Sequence, residues 1–142
     1  MFEYLQLGRF TYNILKDKNV IKPFLMKWLG REWERDHVEF PDQKWTLEWL
    51  ECLKLMKFQL EIVRIGNIIP RAELMSYEKD GYSFTKELNE RADEREESMM
   101  KGVSLEPLII KKEGFELMDG YTRYLALKRL NEKQVYAYVG YN

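Results

Sequence analysis

Phe115-Glu116-Leu117-Met118-Asp119-Gly120-Tyr121-Thr122-Arg123-Tyr124-Leu125-Ala126-Leu127 is the stretch that decides the fold. Its first four residues form a short strand-like run, and its last seven place apolar residues at helical spacing. Asp119-Gly120 leaves no room for a longer loop between them. A strand that turns directly into a helix leaves backbone N–H groups without intrahelical partners, beside the positive end of the helix dipole. Phosphate is their natural guest. Gly120 permits an unusual dihedral and removes a Cβ that would obstruct a close ligand. Arg123, expected on the surface of the first helical turn, can reach the same anion with a forked pair of charged hydrogen bonds. Asp119 can accept from a ligand hydroxyl or hold a metal ion. On local chemistry alone, the same residues also serve as an ordinary N-cap, turn and surface charge.

Working outward, Pro107 marks a boundary, and Leu108-Ile109-Ile110 reads as a strand joined to Phe115–Met118 through a turn at Gly114. The helix is expected from Tyr121 to Leu130, and Val135-Tyr136-Ala137-Tyr138-Val139 closes the chain as a strand. Upstream, Ser83 or Thr85 starts a long helix whose inner stripe is Phe84, Leu88, Ala92 and Met99, with Arg95 on that same stripe. Gly102 is its expected C-terminal cap. Leu60-Glu61-Ile62-Val63-Arg64-Ile65 alternates as a half-buried strand, and Gly66 and Pro70 then break the pattern. All four tryptophans, Trp28, Trp33, Trp45 and Trp49, precede Phe58. That earlier region reads as helical: one helix opens near Pro23 with Phe24, Leu25, Trp28 and Leu29, and a second is capped by Asp42 or Thr46. The chain therefore divides into a helical N-terminal extension, residues 1–58, and an α+β unit, residues 59–142, with a mixed sheet and flanking helices.

Composition narrows the functional classes. The 142 residues are 45% hydrophobic, enough for a packed core, and 23 basic against 24 acidic side chains give a net charge of −1. No global positive field collects nucleic acid. Cys52 is the only cysteine and His37 the only histidine, so an intrachain disulfide, a cysteine metal cluster and an all-histidine metal site are excluded. No apolar run reaches the length of a membrane span and no signal-peptide core opens the chain, so a soluble, cytoplasmic protein without membrane association is expected.

Residues 60–139 resemble the ParB/sulfiredoxin superfamily. The resemblance is carried by Val103-Ser104-Leu105-Glu106-Pro107-Leu108-Ile109-Ile110, by Phe115 through Leu130 and by Val135–Val139, and its most specific piece is Asp119-Gly120-Tyr121-Thr122-Arg123-Tyr124. It implies a pocket in which the glycine turn, the helix start and the arginine hold nucleotide phosphates, with Gly120 and Arg123 matching directly. Tyr121 and Thr122 stand where sulfiredoxins carry a reactive cysteine and a histidine, so sulfinic acid reduction is not expected. Thr122 also replaces the first arginine of the Glu-Arg-Arg motif of chromosome-partitioning ParB proteins. The motif is most similar to the Asp-Gly-His-His-Arg of the free-serine kinases, of which Asp119, Gly120 and Arg123 are retained. In those kinases an acidic residue after the first strand activates the acceptor hydroxyl, and Glu73 and Glu78 lie in the corresponding connection.

The expectation is a ParB-like nucleotide-binding domain, as a phosphotransferase or nucleotide hydrolase. Gly120, Tyr121, Thr122 and Arg123 would hold the phosphates of ATP, ADP or CTP, Asp119 would bind Mg2+, and Asp119, Glu73 and Glu78 are the catalytic candidates. The alternatives are a non-enzymatic DNA-associated module of a plasmid or phage, and a degenerate relative that binds a protein partner through residues 1–58.

Overall fold

The computed structural model describes residues 2–142, and its architecture is α+β. Four strands build the central sheet in the order β3-β8-β6-β7: β3 (Lys57–Arg64), β6 (Leu108–Lys111), β7 (Glu116–Asp119) and β8 (Gln134–Tyr141). Only β6 and β8 run parallel. β7 and the following helix α5 (Tyr121–Arg129) supply the crossover that such a pair requires. The strands on either side of Gly114 pair as the expected hairpin, with Gly114 at φ +71°.

The long helix α4 (Phe84–Met100) starts where the sequence places it. Ser83 accepts a hydrogen bond from the Lys86 amide, and Leu88, Ala92 and Met99 are its buried face. α4 packs along α5. The segment between β3 and α4, read only as a break, also contains a short helix, α3 (Ala72–Met75), and the two-residue ladder of β4 (Glu78–Lys79) with β5 (Tyr82–Ser83).

The N-terminal region holds the two expected helices, preceded by strands that the helical expectation did not include. Residues 3–14 form a hairpin of β1 (Glu3–Leu7) and β2 (Phe10–Ile14), because Phe10, Tyr12 and Ile14 alternate inward against the core. Asn13 and Thr11 exchange backbone hydrogen bonds with Leu105, at 2.8 and 2.9 Å, which joins the hairpin to the approach to β6. Glu132 holds the turn from the other side: its side chain is 13% exposed and accepts from the Arg9 amide at 2.9 Å. Helix α1 (Lys18–Glu39) begins five residues before Pro23, on an N-cap at Asp17 that accepts from the Asn19 amide at 2.9 Å. Helix α2 (Trp45–Lys54) has no side-chain cap: Thr46 instead donates to Asp36 across the α1–α2 contact at 2.8 Å.

One continuous core joins β2, α1 and α2 to the sheet and to α4 and α5. Among the described residues, no helix is long and apolar enough to cross a membrane.

Candidate functional site

Helix α5 begins without a side-chain cap. Gly120 occupies the N-cap position with a left-handed φ of +98°, and the helical ladder begins with the Tyr124 N–H bonded to the Gly120 carbonyl at 2.8 Å. The amides of Tyr121, Thr122 and Arg123 therefore precede the ladder. A Cβ on Gly120 would lie 2.6 Å from Leu108 Cδ2 and 2.8 Å from Arg123 Nη2, so glycine is required by crowding as well as by backbone conformation.

Arg123 is not the exposed first-turn side chain that its position suggested. It is only 8% exposed, and its guanidinium reaches back to the backbone just before β6. Nη2 donates to the Pro107 carbonyl at 3.3 Å and lies 3.6 Å from Asp119 Oδ2, while Nε is buried with no hydrogen-bond partner among the described residues. A buried guanidinium with an unused N–H is costly until an acceptor reaches it.

Asp119, with its side chain 22% exposed, ends β7 beside this arginine. Its Oδ2 also accepts from the Trp28 indole N–H at 3.1 Å, which ties helix α1 to the turn. Burial raises its pKa from 3.8 to about 6, with the Arg123 charge and the Trp28 hydrogen bond pulling the other way and the Glu32 charge adding to the rise. Among the described residues, no three His, Cys, Asp or Glu side chains are grouped to hold a metal ion. With Asp119 already engaged by Trp28 and Arg123, this donor set does not fit a dedicated Mg2+ site.

The turn forms one end of a cleft of about 400 Å³ between α1, α2, α4 and α5. Trp28, Phe40, Trp45, Trp49, Tyr82 and Phe84 give it aromatic walls. Its charged lining is mixed: Glu32 pairs with Arg35 and Glu87 with Arg91, whereas Asp36 is held by Thr46. Arg95, from the inner stripe of α4, enters the same cleft.

Of the residues singled out in the sequence, Asp119, Gly120, Tyr121, Thr122 and Arg123 come together here. The Tyr121 ring is structural: it is buried, stacks near Trp49, and its hydroxyl donates to the Leu117 carbonyl and accepts from the Arg71 amide. Its contribution to a ligand is limited to its amide. Glu73 and Glu78 are exposed and lie outside the cleft lining, Glu73 being 3.3 Å from Arg71. The contributions of α1 and α2 were not evident, although the concentration of tryptophan before Phe58 was the signal available.

No protein-family model and no curated protein matches the chain. Among solved structures it is similar to a Pnob8-like ParB-N domain, at 24% identity and a TM-score of 0.44, over 60% of this chain and 30% of that one. It is also similar to the pNOB8-like ParB N-domain, at 24% identity and a TM-score of 0.43, over 60% of this chain and 28% of that one. The chain thus spans less than a third of the length of either structure, and its structural neighbours are ParB N-domains.

Proposed function

We propose that the cleft binds a nucleotide, with its phosphates at the start of α5 and its base against the aromatic walls. The observation that carries this reading is Arg123: a guanidinium 8% exposed, with an unpartnered Nε, placed under an uncapped helix start. An anion there would meet the open amides and the helix dipole beside the Arg123 guanidinium. The cleft volume of about 400 Å³ falls in the range of small-molecule sites, roughly 300–1,000 Å³. ATP, ADP and CTP are the candidates that the motif resemblance motivates. Magnesium would arrive bound to their phosphates rather than in a protein cage.

For phosphoryl transfer or hydrolysis, Asp119 is the carboxylate in place. Its pKa of about 6 leaves it mostly ionised at neutral pH while keeping it basic enough to accept a proton. Binding and chemistry are separable, and binding comes first. A thermal-shift series of nucleosides and their mono-, di- and triphosphates tests it. Saturation at a hundred times the dissociation constant adds about 2.7 kcal/mol, which at roughly 3 °C per kcal/mol for a chain of this size raises the melting temperature by about 8 °C. A flat response to every phosphorylated ligand at millimolar concentration sinks the proposal.

A further inference from the structure

Beside Arg123 the cleft holds another arginine, and among the described residues this one has no ion-pair partner. Arg95 is half-buried on the inner face of α4 and lines the same cleft as Gly120, Thr122 and Arg123. Its neighbours are neutralised: Arg91 pairs with Glu87, and Arg129 with Asp93 at 2.8 Å and Glu96 at 3.2 Å. Among the described residues Arg95 makes no ion pair. Burial and then the like charge of Arg123 hold its pKa below the ordinary value, against the pull of Glu106. The carboxylate beside Arg123, Asp119, is shared between Trp28 and Arg123. Two guanidinium groups from two helices therefore line one cleft, and of the two only Arg123 has a carboxylate beside it.

Resting on the nucleotide reading above, we infer that Arg95 and Arg123 form a two-cation clamp for a terminal phosphate, so that the site selects phosphomonoesters and polyphosphate ends over phosphodiesters. A terminal phosphate carries about −1.5 to −2 charge at pH 7 and three acceptor oxygens. Two guanidinium forks and the amides of residues 121–123 supply donors for all three. A diester carries a single charge and two free oxygens, and its two substituents must both leave the cleft. Arg95 is consequently a binding residue rather than a structural one, half-buried and without an ion pair among the described residues.

Calorimetric titration of the full chain with adenosine and cytidine 5′-monophosphates, against their 3′,5′-cyclic counterparts, separates the two phosphate classes on the same bases. For the better-bound base, the parent should prefer the monoester by about tenfold or more. Arg95→Gln should weaken monoester binding roughly 10- to 100-fold, the value of a charged hydrogen bond, and should leave the cyclic diester within about threefold, as expected when only a weak, screened attraction is removed. Its melting temperature without ligand should equal or exceed that of the parent, and Arg95→Lys should recover part of the affinity. Equal parental affinity for monoester and cyclic diester, unchanged monoester binding by Arg95→Gln, or a fall in its melting temperature would overturn the clamp while leaving nucleotide binding intact. A parent that binds no phosphate compound at all overturns both the clamp and the nucleotide reading beneath it.

Discussion

Replacing Gly120 by alanine should damage the protein in two separable ways. A left-handed φ of +98° costs an L-residue roughly 1–2 kcal/mol. The added Cβ would also lie 2.6 Å from Leu108 Cδ2 and 2.8 Å from Arg123 Nη2. Leu108 is completely buried and cannot withdraw, so crowding adds about 1–3 kcal/mol. The sum, about 2–5 kcal/mol, lowers the melting temperature by roughly 6–15 °C. Gly81→Ala is the matched control, because Gly81 has φ +84° with nothing within 4 Å of an added Cβ. It should show the backbone cost alone, about 3–6 °C. Scanning calorimetry of the two variants isolates the crowding. The reasoning is refuted if Gly120→Ala melts no lower than Gly81→Ala. Because the added Cβ also crowds the Arg123 guanidinium, the same substitution should weaken phosphate binding.

The remaining expectations concern the groups around the turn. Ionised Asp119 is penalised in the folded state: with a folded pKa of about 6 against 3.8, the penalty is on the order of 3 kcal/mol. The stability linked to its protonation is fully present below about pH 4 and is lost as the pH rises through 6. Urea denaturation of parent and Asp119→Asn at pH 4.5 and 7.5 should show the parent losing stability relative to the variant; parallel curves would refute the shift. Glu132→Ala removes the acceptor of the Arg9 amide and should cost about 1–3 kcal/mol. Hydrogen exchange should then quicken in β1 and β2, and exchange quickening uniformly across the sheet would contradict a local clamp. Tyr121→Phe deletes a buried hydroxyl that serves both Leu117 and Arg71, at a cost of about 1–3 kcal/mol. An unchanged denaturation midpoint would show that hydroxyl to be dispensable.

Elements governed by local patterning were legible in the sequence. The strand around Leu60, the cap at Ser83 and the direct turn at Asp119-Gly120 each specify structure through neighbours a few residues away and each forms, although the buried residues of that strand are Phe58 and Val63 while Ile62, on the apolar side of the alternation, is 48% exposed. Residues 3–14 carried the same kind of signal, with Phe10, Tyr12 and Ile14 at period two, but a short segment rich in polar residues is outweighed by the helical character of the tryptophan-rich residues 18–54. The site was legible only in part, because its decisive contacts are remote in sequence. Trp28 meets Asp119 across 91 positions, and Arg123 is buried with its guanidinium bonded to the carbonyl of Pro107. No local pattern distinguishes a first-turn arginine in water from one folded under its own turn. The position of Arg95 on an apolar stripe was visible; that it shares a cleft with Arg123 was not.

Whether the start of α5 receives the phosphates is read most directly by a two-dimensional nitrogen–proton NMR titration of the full chain with ATP, ADP and CTP. The largest shifts are expected at the amides of Gly120, Tyr121, Thr122 and Arg123, together with movement of the Arg123 side-chain signals. Shifts that gather elsewhere while these signals stay fixed at saturating ligand would contradict phosphate binding there.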